Sequence, residues 1–367
     1  MVFIWTLKDD AVGDVRCLKF DPNSNAPNGL WVAGYTDGGG GAGTGIRISQ
    51  DKGETWSDVA VVDFKVCGIN YTSSQKWACV GNNAAAYSSD GINWTKTTFA
   101  CNASDDTIFY PSNNLAVDES YGASGIWITG GESGKIMYSI DSGVTWAEIA
   151  GVSQTLFGAN YIMGVAYGGT NRWVIVDGSD PTRYSFCNGD PLVPGNWSVA
   201  ANITGCASAT GITITYDNGV WLVMNATSCI DYSSCGIYRT TDGTTWSKRT
   251  VTDYNDTRFS VPPAFAVYNS LDAMWITFNY DDGIPIISTD NGLTWTTDSG
   301  IPVIGYTGYY VGMVMDTTND VLAVANYNGQ IIFGNYYLVP PAPPMYTSNY
   351  DLGSTRKAFW LNRIKER

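Results

Sequence analysis

A short motif that recurs along the chain constrains the fold more than any other feature. Each copy has Ser or Thr two residues before an Asp, a Gly shortly after it and a Trp at its end, as in "SIDSGVTW" at residues 139–146. We call these copies the aspartate turns. Five are complete, with the acids Asp51, Asp90, Asp141, Asp242 and Asp290 and the tryptophans Trp56, Trp94, Trp146, Trp246 and Trp295.

The spacing of these copies indicates a repeat protein. With an eroded copy, "NGDPLVPGNW", that ends at Trp197, the six tryptophans are 38, 52, 51, 49 and 49 residues apart. A period of about 50 residues is typical of propellers, in which each repeat is one supersecondary unit. In each unit an alternating strand precedes an apolar strand such as "IWITGG" or "RWVIVD", and a third strand leads into the aspartate turn. Four short strands separated by turn residues predict a propeller blade.

A seventh unit is incomplete. The stretches "YVGMVMD", "VLAVANY" and "GQIIFGNYY" supply three strands, and the chain then enters "LVPPAPP" without an aspartate turn. We predict that "VFIWTL" at the N-terminus is the missing fourth strand, because this pairing closes the ring and removes an open sheet edge. The sequence thus predicts an all-β fold, a seven-bladed β-propeller over residues 1–338. The alternative is six blades with an unrelated end.

The aspartate turns resemble the Asp-box, or BNR, repeat of sialidases and other Asp-box β-propellers. This resemblance implies that the turns lie on the face opposite the ligand site. The residue types also have a local reason, because the carboxylate can accept hydrogen bonds from its own turn, Gly tolerates positive φ and Trp packs between strands. We therefore expect the five acids and their tryptophans to be structural. The alternative is that the acids are catalytic and the tryptophans form a sugar platform.

The composition excludes several classes of function. The chain has no histidine, which removes the commonest general base and metal ligand and excludes serine–histidine and cysteine–histidine nucleophiles. A net charge of -14 with only 20 Lys and Arg argues against a nucleic-acid partner. The eight cysteines form no Cys-x-x-Cys motif, so we expect neither a zinc site nor a cofactor. Cys229 and Cys235 are the best disulfide candidates, and we expect Cys17, Cys67 and Cys79 to be small buried residues.

The face opposite the turns is formed by the loops between second and third strands and by the connections between blades. These segments are rich in Tyr, Asp and Asn, which suits a hydroxyl-rich ligand because rings cover apolar sugar faces and carboxylates bind hydroxyls. We predict a glycan or protein-receptor site there, against the alternative of ordinary solvated loops. Paired acids in these loops can bind Ca²⁺, but they lack regular ligand spacing, and we expect solvated turns and no metal. The candidate ligand residues are Tyr232, Tyr254, Tyr280, Asp281, Asp282, Tyr306, Tyr309 and Tyr327.

The residues do not favour the sialidase activity that the resemblance suggests. Sialidases hold the sialate carboxylate with three arginines and carry an Arg-Ile-Pro segment, which only Arg47 and Ile48 echo here, without the proline. The other clamp candidates are Arg16, Arg183 and Arg258. Xyloglucanases of the Asp-box type enclose a cleft between two propellers, which one propeller cannot form alone. A glycoside hydrolase with two loop carboxylates remains the alternative function, since that chemistry needs no histidine. A resemblance to propeller factors of photosystem II assembly rests on the fold alone.

Residues 339–367 differ in character from the repeats. A proline-rich start suits a stiff spacer, and "STRKAFWLNRIKER" has an amphipathic pattern among basic residues. We expect a tail that docks on a protein partner, against the alternative of a frayed end. Neither a signal peptide nor an apolar run of about 18 residues is visible. These features favour a non-enzymatic module outside cells, on a virion surface as a phage fibre, spike or decoration. The docking residues are Phe359, Trp360, Leu361 and Ile364.

Overall fold

The chain divides into two units, one formed by Phe3–Tyr336 and the other by Met1–Val2 with Tyr337–Arg367. Of the second unit the structure describes only Val2 and Tyr337, so the predicted boundary at residue 338 and the docking residues lie outside the described residues. The structure, a computed structural model, describes residues 2–10, 13–36, 44–103, 114–179, 181–206, 212–225, 236–249, 251–252, 265–279, 283–297, 301–305, 310–326 and 328–337.

The strands form seven sheets, and this arrangement confirms the predicted all-β, seven-bladed propeller over the six-bladed alternative. Apolar runs bounded by short polar turns favour such strands, which are packed on both faces. The chain begins with β1 (Val2–Asp10), and blades 1 to 3 follow as β2 (Asp14–Asp21), β3 (Leu30–Thr36), β4 (Gly45–Ser49) and β5 (Ser57–Asp58); β6 (Val66–Tyr71), β7 (Trp77–Ser88) and β8 (Trp94–Asn102); and β9 (Leu115–Asp118), β10 (Ile126–Gly130), β11 (Ile136–Ser139) and β12 (Ala147–Glu148).

Blades 4 to 7 continue the same meander outward from the centre. Among the described residues the only helices are two 3-10 turns, Glu132–Gly134 and Pro194–Asn196, and neither has the length and hydrophobicity to cross a membrane. The strands are β13 (Ile162–Tyr167), β14 (Arg172–Asp177), β15 (Arg183–Asn188) and β16 (Ala201–Asn202); β17 (Ile212–Asp217), β18 (Val220–Asn225), β19 (Gly236–Thr240) and β20 (Ser247–Arg249); β21 (Val251–Thr252), β22 (Ala266–Asn269), β23 (Met274–Phe278), β24 (Pro285–Ser288) and β25 (Trp295–Thr297); and β26 (Tyr310–Asp316), β27 (Val321–Asn326) and β28 (Gln330–Tyr337).

Two blades vary the four-stranded pattern. The first half of β7 pairs with β6 and its second half pairs with β8, so β7 supplies both the second and the third strand of blade 2. Asn83 near its middle has φ 51°, the left-handed conformation that suits a tight hairpin turn. In blade 6, β21 pairs parallel to β25 at the outer edge and adds a fifth strand.

The first strand of each blade lies at the centre of the propeller. The strands β2, β6, β9, β13, β17, β22 and β26 contact one another in that order, and β26 contacts β2. These contacts close an inner ring, which forms the wall of the central channel that propellers have.

A pair of aromatic residues marks the hairpin between the first two strands of five blades. The second-strand tryptophans of these hairpins are at most 2% exposed, and each lies in register with an aromatic residue of the first strand. Such pairs contribute roughly 0.5–1.5 kcal/mol beyond their buried area. The pairs, with ring centroids 4.3 to 5.4 Å apart, are Phe20 with Trp31, Tyr71 with Trp77, Tyr167 with Trp173, Tyr216 with Trp221 and Tyr268 with Trp275.

The N-terminal strand completes blade 7, as predicted, because β1 pairs with β28. On one side Trp5 donates its indole N–H to the Pro302 carbonyl at 2.8 Å and packs edge-on against Phe278 of blade 6. On the other side Arg47 of blade 1 donates to both carboxylate oxygens of Asp9, at 2.7 and 2.5 Å. Side chains therefore fasten the closing strand to both neighbouring blades.

Candidate functional site

Each blade has two different edges, and together they define the two faces of the propeller. The turns between first and second strands and the aspartate turns share one edge, which we call the aspartate face. The loops between second and third strands and the connections between blades share the other edge, the loop face. This assignment follows from the strand order, because antiparallel neighbours reverse direction at every turn.

Each aspartate turn is held together by its own carboxylate. In blade 3, Asp141 Oδ1 accepts hydrogen bonds from Ser139 Oγ and the Thr145 N–H, both at 2.8 Å, and Oδ2 accepts one from Thr145 Oγ1 at 2.6 Å. Ser139 Oγ accepts a bond from the Gly143 N–H at 2.9 Å, and Trp146 Nε1 donates to the Gly143 carbonyl at 3.0 Å. Equivalent carboxylate bonds occur at Asp51, Asp90, Asp242 and Asp290.

These hydrogen bonds favour the ionised carboxylates. Burial alone would raise the pKa of Asp90, but hydrogen bonds from Asn93, Ile92 and Ser88 outweigh it and lower the pKa to about 2. The pKa of Asp290 also falls to about 2, with burial again outweighed by bonds from its own turn. The same balance lowers the pKa values of the other three turn acids. A general acid needs a proton near the working pH, and these groups do not hold one.

The aspartate turns also fasten each blade to the blade before it. Gly143 has φ +84°, and a Cβ built there would lie 2.8 Å from Ala78 Cβ of blade 2. Glycine is therefore required by backbone conformation and by close approach. The other turn glycines approach the preceding blade in the same way: Gly53 meets Phe333, Gly91 meets Leu30, Gly243 meets Val174 and Gly292 meets Leu222. Hydrogen bonds to carbonyls of the next turn add to three junctions: from Thr97 to Val144, from Tyr184 to Thr244 and from Arg239 to Asn291.

On the loop face, a buried Asn or Asp lies at the end of the second strand in blades 4, 5 and 7 and directly after it in blade 6. In blade 7, Asn326 Oδ1 accepts hydrogen bonds from the N–H groups of Asn328 and Gln330, both at 3.0 Å. Such bonds satisfy the backbone where a strand gives way to a loop, and they fix the start of that loop. The residues are Asp177, Asn225, Asn279 and Asn326, each with 0% exposed surface. The sequence signal for them was an Asp or Asn four residues after the second-strand Trp or its substitute.

Three of the four arginines considered for a carboxylate clamp form internal bonds. Arg183 Nε and Nη2 donate to Oδ2 of the buried Asp177 at 2.9 and 2.6 Å. Arg47 is paired with Asp9, and Arg16 Nε donates to Thr36 Oγ1 at 3.1 Å. The fourth, Arg258, lies outside the described residues. Arg47, which lies in the segment that resembles the sialidase Arg-Ile-Pro sequence, thus helps to hold the closing strand in the ring.

The candidate ligand residues lie in stretches that the structure leaves undescribed, so their role stays a prediction. The described strands fix only the ends of such stretches, for example Asn225 and Gly236 on either side of residues 226–235. The residues concerned are Tyr232, Tyr254, Tyr280, Asp281, Asp282, Tyr306, Tyr309 and Tyr327, and the disulfide candidates Cys229 and Cys235 lie outside the described residues too.

The described cysteines are buried free thiols, and they include Cys17, Cys67 and Cys79, as predicted. Burial, with a contribution from Asp190, raises the pKa of Cys187 to about 12, so this thiol is protonated at neutral pH. In the part of the chain that the structure describes, no group of three or more Cys, Asp or Glu side chains could hold a metal ion.

No family model matches the chain, and no curated protein matches it. Among solved structures the chain is similar to Ycf48 bound to D1 peptide, with a TM-score of 0.61 and 13% identity over 91% of this chain and 97% of that chain. It is also similar to a catalytically inactive virginiamycin B lyase from Staphylococcus aureus with quinupristin, with a TM-score of 0.63 and 11% identity over 91% of this chain and 100% of that one.

A third similar structure is the GH74 xyloglucanase from Xanthomonas campestris, with a TM-score of 0.58 and 14% identity over 89% of this chain. This chain spans about half of that enzyme, covering 53% of its length. These neighbours differ from one another in what they bind or catalyse, and one fold hosts many functions. The likeness therefore establishes a seven-bladed propeller of this general kind.

Proposed function

We propose that the chain is a non-catalytic recognition module of the Asp-box propeller class, which binds a glycan or a protein receptor through its loop face. The observation that carries this proposal is the difference between the two faces. On the aspartate face, carboxylates, hydroxyls and glycines are committed to their own turns and to the preceding blade. The longest connections between strands, residues 149–161 and 253–265, belong to the loop face.

The loop face also has the chemistry that a polar ligand requires. Buried anchors such as Asn225 and Asn326 give its loops rigid starting points, and rigid anchors lower the entropy cost of binding. Rings and carboxylates on the loops supply stacking surfaces and hydrogen-bond acceptors for sugar hydroxyls or for a protein. The proposed contact residues are the eight predicted from the sequence, from Tyr232 to Tyr327.

We place this module outside cells, on a virion, with residues 339–367 as the segment that attaches it to another virion protein. The basic and aromatic composition of that segment supports the proposal, because Phe, Trp and Arg are enriched at protein interfaces. Mass spectrometry of purified particles would test the location. A purely cellular protein, missing from all particles, would refute it.

A glycan array and a receptor-binding assay, run beside a panel of glycosidase substrates, test the function. We expect binding without hydrolysis, and we expect Tyr232→Ala, Tyr254→Ala and Tyr280→Ala, at three proposed contact residues, each to weaken binding about tenfold or more. The matched control is Leu293→Ser on the aspartate face, a side chain that is 44% exposed. Cleavage of β-glucans or sialosides would instead establish the alternative, a glycoside hydrolase. Equal losses of affinity in the control and in the loop variants would show that the loop face is not the binding site.

A further inference from the structure

Lys19 lies two residues before the end of β2, the inner strand of blade 1, in register with Val32. Both faces of blade 1 are covered, one by residues of blade 2 and the other by residues of blade 7. Lys19 is nevertheless only half-buried. Its remaining exposed surface therefore opens toward the central channel, which is the space that the inner strands leave uncovered.

The residues at the positions equivalent to Lys19 on the first strands of the other six blades carry no charge, and we call these seven positions the Lys19 level. In each blade the equivalent first-strand residue pairs with the residue that follows the second-strand Trp or its counterpart. Asn70 is committed, since its Nδ2 donates to the Leu115 carbonyl at 3.1 Å and its Oδ1 accepts from the Tyr71 N–H at 3.0 Å. The full level consists of Lys19, Asn70, Ala116, Ala166, Thr215, Val267 and Val314.

The Lys19 ammonium makes no hydrogen bond or ion pair with any group in the described part of the chain. Two other half-buried cations have acidic partners, since Arg47 is paired with Asp9 and Arg183 with Asp177. Burial lowers the pKa of Lys19, and the neighbouring Cys17 thiol offsets only part of that effect. A partly buried cation without a counter-charge is unfavourable, because burial removes part of its hydration and no protein group replaces it.

We propose that the central channel binds a small monovalent inorganic anion at the Lys19 ammonium. The anion supplies the missing counter-charge, and the small uncharged residues at the same level leave the ammonium as its cationic ligand. One lysine neutralises one charge, and a protein of net charge -14 repels a polyanion more strongly than a monovalent ion, so the site favours a halide-like ion. This inference is independent of what the loop face binds.

Bromide is the probe, because it can be located by anomalous scattering and titrated in solution. Crystals of the full chain grown with sodium bromide should show an anomalous peak beside Lys19 Nζ. In solution, bromide should raise the Tm of the wild type above the general salt effect, since a ligand that binds only the folded state stabilises it by mass action. The Lys19→Met variant should lose both the peak and this extra rise.

The matched control is Lys76→Met, which changes another half-buried lysine, in the turn between the first two strands of blade 2. This variant should keep the peak and the bromide dependence of the Tm. At low bromide Lys19→Met should unfold at or above the wild-type Tm, because it removes an unpaired cation. If Lys19→Met does not fold, Lys19→Gln and the wild-type crystal still decide the question.

Two results would overturn the proposal. One is a wild-type crystal without a bromide peak at Lys19, and the other is a Tm that depends on bromide equally in the wild type and in Lys19→Met. A peak in the crystal without any difference in solution would mean binding at crystal concentration only, and that result also rejects the site.

Discussion

Five blades join the preceding blade through a complete aspartate turn, whereas blades 4 and 7 do so without one. In blade 4 the eroded turn keeps Asp190, whose Oδ1 accepts hydrogen bonds from the Leu192 N–H at 2.9 Å and from the Tyr121 hydroxyl of blade 3 at 3.3 Å. Trp197 Nε1 donates to the Pro191 carbonyl at 2.8 Å. At the junction between blades 3 and 4, the hydrogen bond from Tyr121 to Asp190 thus takes the place of the close glycine contact that the complete turns make.

Blade 7 shows a different replacement. Its fourth strand comes from the other end of the chain, so no covalent turn can join it to β28. Trp5 reaches Phe278 and Pro302 of the preceding blade, and Asp9 pairs with Arg47 of the following one. Blades 4 and 7 thus contact their neighbours by other means, which shows that every blade needs a junction with the next one but not an aspartate turn. The aspartate turn is one solution, built from a local turn and a close glycine contact.

The largest effect is expected at the closing strand, where no turn assists the junction. Replacing the half-buried Trp5 by Ala removes its ring contact and its hydrogen bond, and we expect a loss of about 3 kcal/mol in the free energy of unfolding. The matched control is Ile4→Ala on the same strand, a side chain that is 45% exposed, with an expected change within about 0.5 kcal/mol. Urea unfolding measures both. Equal, small losses would show that backbone pairing alone holds the closing strand.

A smaller loss is expected at a complete aspartate turn. In Gly143→Ala the new Cβ meets Ala78 Cβ at 2.8 Å in addition to the strain of φ +84°, and we expect a loss of about 2–3 kcal/mol. Gly169→Ala is the matched control, because its φ is +74° and a Cβ there meets nothing within 4 Å. We expect about 1–2 kcal/mol from that strain alone. The difference between the two variants in the free energy of unfolding, measured with urea, gives the contribution of the contact with blade 2. Identical losses of stability would show that this contact contributes nothing.

Much of this architecture was predictable because the repeat is local in sequence. The period, the strand order and the closing role of "VFIWTL" follow from patterns within each unit, and the structure confirms them. The aromatic pairs also have a local sequence signal, an aromatic residue just before a turn and a Trp just after it, as in Tyr216 and Trp221. The buried Asn and Asp residues of the loop face have a comparable sequence signal, four residues after the second-strand Trp or its substitute.

Contacts between blades were not predictable in this way. Arg47 and Asp9 lie 38 residues apart on strands of different blades, and only the closed ring brings them together. The contact between Gly143 and Ala78 has the same origin, since a motif explains why glycine suits a turn but not which neighbour it meets. The candidate ligand residues rest on composition alone, because variable loops carry no period that would fix their geometry.

The smallest effect is expected in acid, and it tests whether the turn carboxylates stabilise the junctions as ions. The pKa values of Asp90 and Asp290 are about 2 in the folded protein, below the ordinary value of 3.8. Their contribution is therefore complete above the unfolded pKa and is lost as the pH falls from about 4 to about 2. The double variant Asp90→Asn and Asp290→Asn should be less stable than the wild type at pH 6, and the gap should shrink toward pH 2. Asp190→Asn should show a smaller gap at pH 6, since the hydrogen bonds that described residues donate to this carboxylate reach only Oδ1. Urea unfolding across this pH range measures each gap, and a gap that stays constant down to pH 2 would show that the turns need the shape of Asp and not its charge.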